Sequence, residues 1–177
     1  MGQINILGLD LSLTSTGLCH NGKTFAHMPK LRGAERLSNV SSFILNYCIE
    51  NSINCVVIEG YSFSSRNSQA HSIGELGGCV RMSLWRQDIP FIEVPPTSRA
   101  KFATGKGNAA KTEVISAISS KTGLIFSGSS ADDECDAWIL EHMAITKLNK
   151  SKYSWTKEQL SALDKIDWSP LEGMNNA

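Results

Sequence analysis

Acidic residues that end two apolar runs constrain this chain more than any other feature of its sequence. Asp10 closes the apolar run of residues 4–9, and Glu59 closes the run of residues 55–58. A buried strand rarely ends on a bare carboxylate unless that carboxylate faces a site, because an unpaired buried charge is very costly. Asp133 and Asp136 open a third apolar segment and, being three residues apart, would share one face of a helix. We therefore expect two strand-end carboxylates and two helix carboxylates to face one site.

Converging carboxylates need a counter-charge. Two of them about 4 Å apart repel by roughly 4 kcal/mol at an effective dielectric constant of about 20. The set contains neither Cys nor His, so its donors are hard oxygens of the kind that Mg²⁺ or Mn²⁺ prefer. The acids of residues 132–134 also suit a helix N-terminus, but that alternative does not explain an acid directly before an apolar stretch at position 136. The pattern predicts a divalent metal site formed by Asp10, Glu59, Asp133 and Asp136.

Composition narrows the class of protein. A chain of 177 residues is long enough for one domain with a sizeable core. Its five cysteines are odd in number and lack CxxC spacing, which indicates a reducing compartment. Because no apolar run approaches the roughly 20 residues of a membrane span, we expect a cytoplasmic protein without a membrane partner. Net charge is zero, but five basic residues against one acid in residues 99–121 stand beside four acids in residues 132–136, so phosphate and metal would bind side by side.

The hydrophobic pattern predicts a mixed sheet covered by helices. An Asn21-Gly22 turn joins two short strands into a hairpin, after which strands alternate with helices. Strands are predicted at residues 4–11, 16–20, 23–28, 55–59 and 89–94. Helices are predicted at residues 33–50, about 68–85, 111–121 and 133–148, with a short one capped by Thr97. Residues 151–177 form a polar tail with one or two docked amphipathic turns.

Five motifs follow one another along the chain: Leu7-Gly8-Leu9-Asp10 with Gly17, Val57-Ile58-Glu59, Arg66-Asn67 before Gly74 and Gly77-Gly78, Gly105-Lys106-Gly107 up to Lys111, and Asp133-x-x-Asp136-Ala137. In this order they resemble the motifs of the RuvC-type Holliday junction resolvases of the ribonuclease H-like superfamily. The resemblance spans about residues 4–148 and implies an α/β fold, with a ribonuclease H-like mixed five-stranded sheet flanked by helices. It also implies a RuvC-like nuclease domain in residues 1–150, followed by a C-terminal tail in residues 151–177. The compact length and divergent tail look like the phage-encoded branch, which would act in the host cytoplasm.

The resemblance implies an endonuclease that resolves four-way and other branched DNA by paired symmetric nicks, in DNA recombination and repair. Two Mg²⁺ ions per active site, for which Mn²⁺ would substitute, would be held by the four carboxylates. Lys101 and Lys111 would lie near the scissile phosphate, with Lys111 offsetting its charge. Because two strands must be nicked symmetrically, the resemblance also implies a homodimer, with the helix of about residues 68–85 as its interface.

Further DNA contacts are expected from the loop after Glu59 and from a glycine loop. Tyr61 and Phe63 beside Arg66 suit stacking on splayed bases, although the same rings would also serve as ordinary core anchors. Their positions are shifted relative to the family pattern. Lys106, between two glycines, would hold a phosphate; the surrounding stretch lacks the glycine spacing and the preceding strand of a nucleotide-binding P-loop.

Three alternatives share part of this pattern. A ribonuclease acting on RNA or RNA–DNA hybrid would carry the same four carboxylates on the same fold. A non-enzymatic junction-binding protein is disfavoured, because none of the four ligand positions is lost. An actin-like ATPase fragment would begin with a similar apolar run and acid, but 177 residues leave no room for its second lobe.

Overall fold

A five-stranded mixed sheet forms the centre of the protein. The structure is a computed structural model that describes residues 4–60 and 68–172. The strand order is β3-β2-β1-β4-β5, with antiparallel pairing within the first three strands of the chain and parallel pairing of β1 with β4 and β4 with β5. This architecture confirms the predicted fold class. The strands are β1 (Ile6–Asp10), β2 (Thr16–His20), β3 (Lys23–His27), β4 (Cys55–Glu59) and β5 (Phe91–Val94).

Helices cover both faces of the sheet. Helices α1 and α2 pack on one face, while α3, α4 and α5 pack on the other, which we call the α5 face. Within residues 4–60 and 68–172, none of the helices combines the length and apolar character that crossing a membrane requires. The helices are α1 (Gly33–Glu50), α2 (Ser68–Trp85), α3 (Pro96–Thr104), α4 (Lys111–Thr122), α5 (Ala131–Lys147), α6 (Lys157–Leu160) and α7 (Ser169–Glu172).

Two local predictions can be compared with the structure directly. Asn21 and Gly22 both have positive φ angles, 54° and 73°, as a two-residue hairpin turn requires. The prediction that Thr97 caps α3 is wrong, because the helix already begins at Pro96 and its N-cap residue, Pro95, makes no side-chain cap. Proline at the first helical position is favoured instead by its fixed φ and missing N–H.

Alternation along the strands places the predicted acids on the α5 face. In β1, Leu7 and Leu9 pack with α1 and α2, whereas Gly8 and Asp10 point to the opposite face. Strand β4 alternates in the same way and turns Glu59 toward α3. Both acids therefore stand on the side of the sheet that α5 covers.

Helix α5 lies directly on the backbone of β1 and β2, because two glycines leave room for it. A Cβ atom on Gly8 would lie 2.0 Å from the carbonyl oxygen of Ala137, and one on Gly17 would lie 2.1 Å from that of Asp133. No real Cβ atom tolerates such distances, so these two positions require glycine. The close approach carries the first turns of α5 to the ends of the strands.

Two other acidic side chains of α5, Glu134 and Glu141, attach the hairpin to this helix. The buried Glu141 accepts hydrogen bonds from Cys19 Sγ at 2.9 Å and from the backbone N–H of Gly22 at 3.0 Å. Glu134 accepts one from Thr24 Oγ1 at 2.9 Å. The hairpin and α5 thus hold each other in register.

Residues 151–172 pack against α3 and α5 through two short helices, where the amphipathic pattern predicts docked turns. The Trp155 ring lies 4.2 Å, centroid to centroid, from the Phe102 ring of α3. The Gln159 amide donates to the carbonyl oxygen of Ala103 at 2.8 Å, and Trp168 is buried in the same core. This segment therefore supports α3 from outside.

A matched pair of glycine substitutions tests the close approach of α5. Gly8→Ala should lower the free energy of unfolding by at least about 2 kcal/mol, because its methyl group meets helix backbone that cannot yield locally. Gly60→Ala serves as the control, since its Cβ makes only an ordinary 3.4 Å contact; we expect a change below about 1 kcal/mol. Urea unfolding followed by circular dichroism measures both. Equal stability of the two variants would show that α5 does not depend on the glycine.

Candidate active site

Parallel pairing brings the two strand-end acids side by side. Leu9 of β1 pairs with Ile58 of β4. The next residues, Asp10 and Glu59, therefore lie at the same end of these two neighbouring strands. Asp10 is only 8% exposed, whereas the Glu59 side chain is 20% exposed. The structure thus unites the two acids at one end of the sheet, as the ends of their apolar runs predict.

The first turns of α5 supply the other two predicted acids. Asp136 is 5% exposed, and Asp133 is half-buried at the rim. Their neighbours point elsewhere: Asp132 forms an ion pair with Lys111, and Glu134 accepts hydrogen bonds from Thr24 and Ser130. Of the acids that begin α5, only Asp133 and Asp136 therefore face the strand ends.

Asp10 lies close enough to the other three carboxylates to feel their charge. Burial raises the pKa of Asp10 well above its usual range, and repulsion from Glu59 and Asp136 raises it further. Burial also raises the pKa of Asp136, although the positive charge of Arg99 opposes that rise. Burial likewise raises the pKa of Asp133, and the nearby Ser15 hydroxyl partly offsets the effect. The cluster consequently favours a cation.

Arg99 supplies a positive charge that sequence patterns did not assign to the site. Its Nε donates to Glu59 Oε1 at 2.5 Å, and its Nη1 donates to Asp136 Oδ1. The guanidinium is largely buried, with 12% of the side chain exposed. Burial acts to lower the pKa of Arg99, but the charges of Glu59 and Asp136 outweigh it and raise that pKa. Arg99 thus joins a strand-end acid to a helix acid.

The position of Arg99 follows from strand order, which the sequence alone does not give. Glu59 pairs with Val94 at the end of β5, and the chain turns directly into α3 at Pro96. One turn later, Arg99 lies over Glu59. In the sequence, Arg99 is only the first of several basic residues. Its short distance from the end of β5 was the one available signal, but the sequence does not show that β5 pairs with β4.

The four carboxylates suit a hard divalent cation, but two of them are in contact with Arg99. The side chains are carboxylates without sulfur or imidazole, which matches Mg²⁺ or Mn²⁺. Among the residues that the structure describes, no three His, Cys, Asp or Glu side chains are arranged as a ready cluster for a metal ion. Arg99 spans two of the acids instead. The carboxylates are gathered at one place and charge-balanced in part by a guanidinium.

The predicted basic residues lie on α3, α4 and the loop between them. Lys111 begins α4 and forms its ion pair with Asp132, yet 70% of its side chain is exposed. Lys106 pairs with Glu113 at 3.3 Å on the surface, and Lys101 is partly exposed on α3. Lys111 is near enough to the acids that they help raise its pKa, after the larger effect of its hydrogen bond to Asp132. Of these three lysines, Lys111 is therefore the one that lies close to the acids of the site.

The expected DNA contacts in the loop after β4 fall on Tyr61, Phe63 and Arg66, which lie outside the described residues. Their roles stay predictions. Gly60 is described and follows Glu59 directly, with its N–H donating to the Val94 carbonyl at 2.8 Å. The chain thus leaves the sheet beside the carboxylates.

Comparison with known proteins finds similar proteins that are named RuvC. No protein-family model matches the chain. The crossover junction endodeoxyribonuclease RuvC of Carboxydothermus hydrogenoformans is 28% identical over 120 residues, covering 68% of this chain and 75% of the relative. The RuvC of Rickettsia bellii is 24% identical over 158 residues, covering 81% of this chain and 98% of the relative.

A solved structure shows the same fold. Thermus thermophilus RuvC in complex with a Holliday junction substrate superposes with a TM-score of 0.64 at 20% identity, covering 86% of this chain and all of the other. At that identity the likeness establishes the fold. In sequence the chain is similar to RuvC-type Holliday junction resolvases, which confirms the resemblance that its motifs predict.

Proposed function

We propose that this chain is a metal-dependent endonuclease that cleaves four-way DNA junctions. The observation that carries the proposal is the meeting of Asp10 and Glu59 from two strand ends with Asp133 and Asp136 from α5. The names of its relatives support this activity, as does the Holliday junction substrate that Thermus thermophilus RuvC binds in its solved complex. The same proposal includes other branched DNA as substrates of this endonuclease.

The four carboxylates would hold Mg²⁺, with Mn²⁺ able to substitute, as two ions per active site. When bound, the metal would supply activation of water and neutralisation of charge on the phosphate. The side chains would contribute the ligands: the buried Asp10 and Asp136 would provide the inner carboxylates, and the more exposed Glu59 and Asp133 would provide the outer ones.

Lys111 would offset charge on the reacting phosphate. Its ammonium group is mostly exposed and is held beside the acids by Asp132, so it can contact a phosphate without leaving its place. A positive charge fixed where negative charge develops lowers the barrier without reorganisation. Lys101 and Lys106 would bind neighbouring phosphates, which supply most of the affinity for DNA. Tyr61, Phe63 and Arg66 would stack on bases at the branch point.

Paired nicking would require a homodimer, and α2 offers a face for it. Leu76, Val80 and Leu84 are fully buried in the protein's own core, so these residues cannot contact a partner helix. A Cβ on Gly78 would meet no atom of another described element within 4 Å. The interface would therefore be formed by the exposed face of α2, which carries Ile73, Gly78, Met82 and Trp85, the last with 73% exposure.

Substitution of the proposed metal ligands tests the activity itself. Asp10→Asn, Glu59→Gln and Asp136→Asn should each reduce Mg²⁺-dependent cleavage of a synthetic four-way junction by at least about 100-fold, the upper end of the loss seen for outer partners of metal ligands. Junction binding, measured by gel shift in EDTA, should persist, because removing negative charge lessens repulsion of phosphate. Glu134→Gln is the matched control, since Glu134 belongs to the same helix turn but faces Thr24.

Matched duplex and RNA–DNA hybrid serve as substrate controls for that experiment. The proposal expects paired nicks in the junction and little cleavage of either control. Preferential cleavage of the hybrid, or a ligand variant that cleaves the junction at the wild-type rate, would contradict it.

A charge on the exposed face of α2 tests the dimer. Gly78→Glu introduces a side chain into open space, so the chain should fold but dimerise at least about tenfold more weakly, because a carboxylate would be buried between two copies. Sedimentation velocity measures the change. Ser120→Glu, on exposed α4 at the other face of the sheet, should leave the dimer intact. A wild-type chain that sediments as a monomer, alone and on junction DNA, would refute the dimer.

A further inference from the structure

Arg99 lies where a cation in this site would be needed. Its guanidinium contacts Glu59 through one nitrogen and Asp136 through another, and these are two of the four proposed metal ligands. With only 12% of its side chain exposed, this arginine gives up most of its hydration, which is tolerable only when carboxylates replace the lost water. Both of its contacts therefore stabilise the buried guanidinium.

We propose that Arg99 is the internal counter-ion of the metal-free site, and that divalent metal binding displaces its guanidinium from Glu59, Asp136 or both. This inference rests on the proposed function, because it takes the four carboxylates to be the metal ligands. Arg99 would contact the carboxylates that hold the metal and not the metal itself.

Competition follows from the arrangement of the acids. While Arg99 bridges Glu59 and Asp136, the described residues contain no group of three acidic, histidine or cysteine side chains ready to hold a metal. A carboxylate oxygen that accepts a charge-assisted hydrogen bond from arginine must exchange that partner before it can coordinate a cation with the same lone pairs. Arg99 should thus stabilise the protein without metal and weaken its affinity for metal.

The charges of the site favour a cation that replaces the Arg99 guanidinium over a cation that binds beside it with no rearrangement. The Arg99 guanidinium contacts two of the four carboxylates, Glu59 and Asp136. One guanidinium cannot neutralise four carboxylates. A divalent cation brings more charge to a smaller volume, so it competes effectively for the same oxygens.

Arg99→Gln tests the proposal with readouts that do not depend on activity. Isothermal titration with Mn²⁺ should show at least tenfold tighter binding than in the wild-type chain, because glutamine keeps much of the side chain's length but removes the competing charge. The melting temperature in EDTA should fall, and the rise in melting temperature on adding Mn²⁺ should be larger than in the wild type.

Arg81→Gln is the matched control. Arg81 of α2 forms an ion pair with Glu93 on the face of the sheet opposite the site, so its loss removes a comparable arginine–glutamate contact. Its stability should fall equally with and without Mn²⁺, and its Mn²⁺ affinity should equal that of the wild type. A rise in Mn²⁺ affinity in this control as large as in Arg99→Gln would overturn the proposal.

Arg99→Lys keeps the test decisive if Arg99→Gln fails to fold. Lysine retains the charge but, as a single point, cannot bridge two carboxylates, so its Mn²⁺ affinity should lie between the other two. A glutamine variant that folds only with Mn²⁺ supports the proposal. Unchanged or weaker Mn²⁺ binding in the glutamine variant, or in the lysine variant where glutamine does not fold, overturns it and leaves Arg99 as a residue that organises the ligands.

Failure of the inference and failure of the proposed function give different results. A chain that shows the predicted Mn²⁺ affinities but cleaves no junction keeps the role of Arg99 and loses the proposed activity. A chain that cleaves junctions with Mg²⁺ while Arg99→Gln binds Mn²⁺ as the wild type does loses only the role of Arg99.

Discussion

The direct contact of α5 with the backbone of β1 and β2 determines whether the site can form. The carbonyl oxygens of Ala137 and Asp133 lie where side chains at positions 8 and 17 would otherwise be. A helix held away by even one methyl group would carry Asp133 and Asp136 away from Asp10. The hydrogen bonds between Glu141 and the hairpin add to this contact. The packing of α5 therefore also determines the geometry of the acids.

The same packing creates an electrostatic cost that the protein offsets in part. A carboxylate whose pKa is raised in the folded state binds protons more tightly there than in the unfolded chain. For Asp10 and Asp136, this stabilises the metal-free protein at low pH and is lost as pH rises from the unfolded pKa, near 4, through the higher folded value. The positive charge of Arg99 moderates the loss, because it lowers the pKa of both Asp10 and Asp136. The burial of these two acids therefore lowers the stability of the folded protein at pH values above their pKa.

Sequence patterns predicted the elements of the site better than their partners. Asp10 and Glu59 end apolar runs, and that local signal sufficed to place both at strand ends. Arg99 was missed because its contact with Glu59 depends on β5 pairing with β4 and on the immediate start of α3, neither of which has a local signature. The basic stretch around it was visible, but not which of its members turns inward. The glycines show the same limit, because the sequence around the two strand glycines, Gly8 and Gly17, does not reveal which helix will lie on them.

Anomalous diffraction from crystals containing Mn²⁺ would show whether acids from two strands and one helix form one metal-binding site. We expect anomalous density beside Asp10 and Asp136, with the Arg99 guanidinium withdrawn from at least one of its carboxylates. Density at the Lys106–Glu113 surface only, or no density near Asp10 at a Mn²⁺ concentration that saturates binding in solution, would mean that these acids do not form the metal site.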